Sequence, residues 1–181
     1  GRSIEWRGER FILLPDGRME PAQREPDARP LRIALVCHGN IARSQVLHHY
    51  LARALARRGM PAEILSCGTA PAEAYPDQER LLQDVQVERT AWGPKAEAWI
   101  QEADLVLAAD AARQEEIVGR AGVPPARVRL FYEYIGEGRR DFVDTFDHDL
   151  GRQDPERFAR CFDELERIAE RMAERLCQQT K

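Results

Sequence analysis

Residues Ile33-Ala34-Leu35-Val36-Cys37-His38-Gly39-Asn40-Ile41-Ala42-Arg43-Ser44 carry the change of pattern that decides the fold. Ile33-Ala34-Leu35-Val36 is a short continuous apolar run, as expected of a strand buried on both faces. After Ser44, residues Val46, Leu47, Tyr50, Leu51, Ala54 and Leu55 recur at helical spacing, and Gly59 supplies the stop. Between strand and helix stand a cysteine, two residues that tolerate left-handed backbone (Gly39 and Asn40), and an arginine. A loop that runs into a helix N-terminus aims backbone N–H groups and the helix dipole at an anion. Arg43 is suited to hold two anion oxygens in a fork. The same positive surroundings favour Cys37 as a thiolate nucleophile, with Ser44 placed to donate a hydrogen bond to it. The plainer alternative is an ordinary strand-to-helix turn with a buried cysteine.

Working outward, strand and helix patterns alternate. Residues 62–67 read as a second strand closed by Gly68, and 78–85 as a short helix. Residues 94–101 read as a helix with Pro94 in its first turn, and 104–109 as a third buried strand. A helix over 111–120 is halted at Gly122-Val123-Pro124-Pro125, and 128–132 forms a fourth strand. A polar loop over 136–153 leads to Asp154-Pro155, an N-cap followed by proline at the first helical position. Phe158, Phe162, Leu165, Ile168, Met172 and Leu176 then mark a last helix of about 23 residues. Such alternation predicts a three-layer α/β/α domain around a four-stranded parallel sheet, with ligands at the carboxyl ends of the strands.

Residues 1–30 have a different composition and are expected to form an N-terminal extension ahead of a domain over 31–181. Ile4 and Trp6 alternate with polar residues, Phe11-Ile12-Leu13-Leu14 is apolar, and Pro15-Asp16-Gly17 signals a turn. A small hairpin, or one strand and a turn, is expected there. Residues 20–30 read as a linker.

The 181 residues carry 27 basic and 31 acidic side chains, a net charge of −4, which gives no reason to expect nucleic-acid binding. No apolar run reaches the roughly 20 residues that span a bilayer, and charges interrupt every candidate signal peptide. Cys37, Cys67, Cys161 and Cys177 include no C-x-x-C pair, so neither a metal site nor a disulfide framework is expected. Reduced thiols in a cytoplasmic protein without cofactor are the default reading. His48 and His49 are adjacent and point about 100° apart on a helix, which argues against shared metal ligation.

Val36-Cys37-His38-Gly39-Asn40-Ile41-Ala42-Arg43-Ser44 resembles the C-x5-R-S phosphate loop of low-molecular-weight protein tyrosine phosphatases. Ser66-Cys67-Gly68-Thr69 resembles the family's Ser-Ala-Gly-Thr, and residues 103–110 its third strand, which ends in an acid. The resemblance covers about residues 31–178 and implies a flavodoxin-like fold. It implies a phosphomonoesterase acting on phosphotyrosine in protein, or on a small phosphomonoester, without metal. Cys37 would attack phosphorus and form a phosphocysteine. Arg43 and the amides of His38, Gly39, Asn40, Ile41, Ala42 and Ser44 would hold the phosphate, with Asn40 and Ser66 supporting the loop. An aspartate would protonate the leaving oxygen and then activate water.

The sequence departs from that family in several places. Asp141-Phe142-Val143-Asp144-Thr145-Phe146 best matches its Asp-Pro-aromatic segment, with Thr145 for proline. Asp144 is then the acid and Phe146 the aromatic beside the substrate, while loop spacing leaves Asp149 and Asp147 open. Ala42 stands where many members carry a second loop cysteine; Cys67, at the end of the neighbouring strand, is a candidate substitute, with an ordinary buried residue as the plainer reading. Ala70-Pro71-Ala72 stands where an aromatic cleft wall is usual, with Tyr75 further on. Arginine phosphatases of the family carry Thr where Ile41 stands. Thr90 replaces a network histidine, and Gln45 replaces a proline from which little effect is expected. His38 is expected to face solvent, and Trp92 and Trp99 to pack the helix at Pro94. Two alternatives to the enzyme remain: a phosphate-binding module with weakened catalysis, and an arsenate reductase, which needs relay cysteines.

Overall fold

The structure, a computed structural model, describes residues 2–6, 9–13, 19–21, 29–74, 76–143, 145–147 and 152–179. Strands β1 (Arg2–Trp6), β2 (Glu9–Leu13) and β3 (Met19–Pro21) form an antiparallel sheet in that order, with Ile4 opposite Phe11 and Ile12 opposite Glu20. The expected hairpin thus has a third strand. Met19–Pro21 belongs to it, while most of the expected linker lies outside the described residues.

The main sheet is built from β4 (Leu31–Cys37), β5 (Ala62–Gly68), β6 (Leu105–Ala108) and β7 (Val128–Leu130). Its spatial order is β5-β4-β6-β7 and every pairing is parallel. Strand β4 is covered by helices on both faces, which is why its sequence is continuously apolar rather than alternating. Alternation instead decides which layer each side chain joins. Ile33, Leu35 and Cys37 pack into one cluster with Leu47, Leu51, Leu165 and Ile168, whereas Ala34 and Val36 pack into another with Ile100 and Ile117.

Those partners come from helices on opposite faces. Helices α1 (Arg43–Arg57) and α6 (Pro155–Gln179) cover the first face; α3 (Pro94–Glu102) and α4 (Ala111–Ala121) cover the second. Between them run the short helices α2 (Pro76–Leu81) and α5 (Phe131–Tyr134). The ends follow the sequence signals. Asp154 caps α6 by accepting from the Arg157 N–H at 3.0 Å, and Gly122 ends α4 in the left-handed region at φ 65°. No described helix is long and apolar enough to cross a membrane.

Three boundaries differ from the sequence expectation. The fourth strand stops at Leu130, because the Glu133 carboxylate accepts the Leu130 N–H at 3.1 Å and turns Phe131–Tyr134 into a helical turn. Helix α2 ends at Leu81 rather than 85. The loop over 136–153 contains a two-residue antiparallel pair, β8 (Phe146–Asp147) with β9 (Arg152–Gln153). Trp92 and Trp99 pack against the second cluster, with Trp92 Nε1 donating to Glu97 at 2.6 Å inside the α3 turn.

His48 of α1 sits over β5 with Nδ1 3.2 Å from the Ser66 hydroxyl, and burial drives its imidazole down to about 4. The unfolded chain therefore binds a proton near pH 6.5 that the folded chain refuses. Stability is expected to be full above that pH and to fall as pH drops toward 4, by about 2–3 kcal/mol from this group. Urea unfolding from pH 7 to 4 should give a flatter profile for His48→Asn than for the parent chain; identical slopes would contradict the assignment.

Candidate active site

The carboxyl ends of β4, β5 and β6 converge on the loop between β4 and α1. Cys37 ends β4 and is 2% exposed, its side chain on the α1/α6 face. Asn40 takes a left-handed backbone at φ 51°, the one non-glycine residue to do so among those described. That conformation is uncommon for a residue with a Cβ, and Asn is among the types that reach it most easily. Here its side chain holds it. Asn40 Oδ1 accepts the Thr90 backbone N–H at 2.8 Å, which fixes the amide orientation, and Nδ2 donates to Ser44 Oγ at 2.9 Å. Ser44 Oγ lies 2.9 Å from Cys37 Sγ, and toward a Cys37 thiolate its O–H is the donor of that pair. A hydrogen bond of that kind favours the negative sulfur. Thr90 thus acts through its main chain, not its side chain.

The rest of the loop is shaped by close backbone approach. A Cβ on Gly68 would fall 2.6 Å from Gly39 C, 2.7 Å from His38 O and 2.8 Å from Asn40 N. A Cβ on Gly39 would fall 2.5 Å from the Ala72 Cβ. Both positions need glycine for space, not for torsion. The β5 end is stitched to the loop by Thr69 N–H to Cys37 O at 3.1 Å and Ala70 N–H to His38 O at 3.0 Å. Among the described residues, no protein group accepts from the backbone N–H groups of Gly39, Asn40, Ile41 or Ala42. Four amides at the head of α1 are a suitable cradle for an oxyanion.

Arg43 is 5% exposed and donates from Nη1 to Asp110 Oδ2 at 2.6 Å and to the Phe142 carbonyl at 3.3 Å. Asp110 also caps α4, accepting the Arg113 N–H at 2.9 Å. Phe142 is fixed in turn: its N–H donates to Ala109 O at 2.7 Å, and its ring stacks on Tyr132 at 5.8 Å. Sequence reasoning missed Phe142 as a support and read residue 110 only as the acid that ends the third strand. A lone acid ending a strand beside a basic loop was the available signal.

Other expected residues fall as follows. Ser44, Ala42 and Asn40 are buried and Ile41 is half-buried against the first cluster. Ser66 is buried near the loop, but its hydroxyl meets His48 rather than Asn40. His38 is exposed yet does not simply face solvent, because Arg113 Nη1 lies 3.1 Å from its Nδ1. Gln45, from which little was expected, donates to the Val87 carbonyl at 2.7 Å and ties α1 to the segment before Thr90. Asp144, Asp149 and Tyr75 lie outside the described residues, and so do the side chains of Phe146 and Asp147. Cys67 belongs to the opposite layer from Cys37, and burial pushes its thiol up to about 12; the Cys161 thiol is likewise pushed up to about 12 by burial. Neither is a poised redox partner for Cys37.

Gly68→Ala should displace the loop, lowering stability by about 1–3 kcal/mol and weakening inorganic phosphate binding, as read by urea unfolding and calorimetry. Gly119→Ala, where a Cβ meets nothing within 4 Å, is the control and should be neutral or stabilising. Equal behaviour of the two variants would contradict the close-approach account.

Comparison with known proteins agrees with this geometry. The YwlE arginine phosphatase from Geobacillus stearothermophilus is 25% identical with a TM-score of 0.63, over 83% of this chain and 95% of its own. A YwlE mutant from Bacillus subtilis is 22% identical with a TM-score of 0.67, over 81% of this chain and 98% of its own. The tyrosine phosphatase Wzb from Escherichia coli K30, solved with sulphate, is 22% identical with a TM-score of 0.62, over 80% of this chain and 96% of its own. No curated protein matches the chain. The family model for low molecular weight phosphotyrosine protein phosphatase matches residues 32–181, from β4 through the loop at Cys37 to the end of the chain. On that match, the chain belongs to the low molecular weight phosphotyrosine protein phosphatase family, and so to the cysteine-based phosphatases.

Proposed function

We propose that the chain hydrolyses phosphomonoesters, phosphotyrosine in protein foremost, through a phosphocysteine on Cys37. The observation that carries this reading is the bond sequence Thr90–Asn40–Ser44–Cys37, which delivers a hydroxyl donor to the sulfur beside four unengaged amides and Arg43. In the first step the Cys37 sulfur forms a bond to phosphorus as the phosphorus–oxygen ester bond breaks. The leaving oxygen takes a proton from an aspartic acid. Arg43 and the loop amides hold the equatorial oxygens, where charge is spread in the transition state. In the second step that aspartate takes a proton from water, the water oxygen bonds to phosphorus, and the sulfur leaves with its electron pair. Inorganic phosphate departs.

Asp144 is the proposed acid and base. Chain reach supports it over Asp147 and Asp149: the Phe142 carbonyl, two residues earlier, already accepts from Arg43. Phe146 is proposed to flank the substrate ring. Phosphotyrosine is preferred to phosphoarginine because Ile41 stands at the position where arginine phosphatases of the family carry Thr. The arsenate reductase alternative finds no support in the cysteines. Cys67 lies across the sheet, and Cys161 and Cys177 are about 24 Å apart along α6.

Hydrolysis of an aryl phosphate should vanish in Cys37→Ser and fall about a hundredfold or more in Asp144→Asn. A phosphotyrosyl peptide should be turned over faster than phosphoseryl and phosphoarginyl peptides of the same sequence. Turnover persisting in Cys37→Ser would overturn the mechanism. Full activity in Asp144→Asn would move the acid to Asp147 or Asp149, and preference for phosphoarginine would overturn the substrate assignment.

A further inference from the structure

A second cleft, of about 560 Å³, runs along the outer edge of β7, away from the Cys37 loop. Val118 and Gly119 of α4 and Val128 of β7 give it apolar walls, and Gln114, Arg129 and Arg139 reach into it. Gln114 is buried, and its amide nitrogen donates to the Val128 carbonyl at 2.5 Å, so its oxygen faces the other way. Arg139 Nη2 donates to that oxygen at 2.6 Å. Arg129 Nη2 donates to the Glu133 carbonyl at 3.2 Å, and its guanidinium lies 5.5 Å from the centre of the Tyr134 ring.

Both arginines are therefore positioned by neutral groups. Among the described residues, neither has a carboxylate at ion-pair distance, whereas Arg43, Arg113 and Arg167 all do. Two acids also line the cleft. The Glu133 carboxylate is engaged by the Leu130 N–H, and Glu115 is exposed. A guanidinium has five donors, and among the described residues each of these two uses one. Two oriented cations with no carboxylate at ion-pair distance, over an apolar wall in a cleft of ligand-sized volume, suit an anion with an apolar body.

We propose that this cleft is a second ligand site, separate from the Cys37 loop, for a small organic anion bearing carboxylate or phosphate groups on an apolar body. The test uses the full chain, labelled with nitrogen-15 and titrated with phthalate, its amide resonances followed by NMR. Phthalate should shift Val118, Gly119, Val128 and Arg129, while inorganic phosphate, which lacks the apolar body, should leave them in place. Arg129→Gln with Arg139→Gln should weaken phthalate at least about tenfold. Gly119→Phe keeps both charges but fills the cleft, at a position where a Cβ meets nothing within 4 Å, and should abolish binding. Shifts confined to residues 39–44, no shifts at all, or unchanged affinity in both variants would each overturn the proposal. None of these readouts depends on catalysis, so failure here leaves the phosphatase reading to its own test.

Discussion

The hydrogen bonds of one side chain hold the site together. Asn40 accepts from the Thr90 main chain and donates to Ser44, whose hydroxyl lies 2.9 Å from the Cys37 sulfur. The left-handed backbone at Asn40 turns the loop so that its amides gather at the head of α1. Because the amide is held from both ends, each element it joins must stay in register. These are the segment before α3, the loop itself and the first turn of α1. A buried polar network of this kind is stabilising only when every member is satisfied, which makes the site sensitive to small displacements of its surroundings.

The parallel sheet provides those surroundings. Strand β4 brings Cys37 to the edge, β5 brings Gly68 against the back of the loop, and β6 leads into Asp110, which grips Arg43. Three neighbouring strands thus supply the Cys37 thiol, clearance for its loop and a counter-charge for Arg43 at one end of the sheet, where parallel folds ordinarily bind ligands. The Arg43–Asp110 pair is nearly buried, and Asp110 also caps α4, so the arginine is oriented by a rigid element. Such preorganisation lowers the reorganisation needed as charge develops.

Much of this was legible in the sequence because it rests on local rules. The apolar run at Ile33–Val36, the helical spacing after Ser44 and the Asp154-Pro155 start all reflect backbone period and capping, and the structure keeps them. The misses have long-range causes. The fourth strand ends early because Glu133 reaches back to Leu130, a side-chain bond that no pattern of hydrophobicity reports. Gln45 looked incidental because its partner, Val87, is forty-two residues away. His38 acquires Arg113 from α4, and Phe142 becomes the rest for Arg43, only once the sheet edge assembles. The β8–β9 pair was hidden in a polar segment with no alternation to mark it.

The central claim is that Cys37 carries the phosphoryl group between substrate and water. The most direct measurement is to mix the protein with a phosphotyrosyl peptide, quench in acid within the first turnover, and locate the phosphate by mass spectrometry of the digested chain. The account predicts a single phosphate, on Cys37. Phosphate on another residue, or none on the protein while peptide is being hydrolysed, would contradict it.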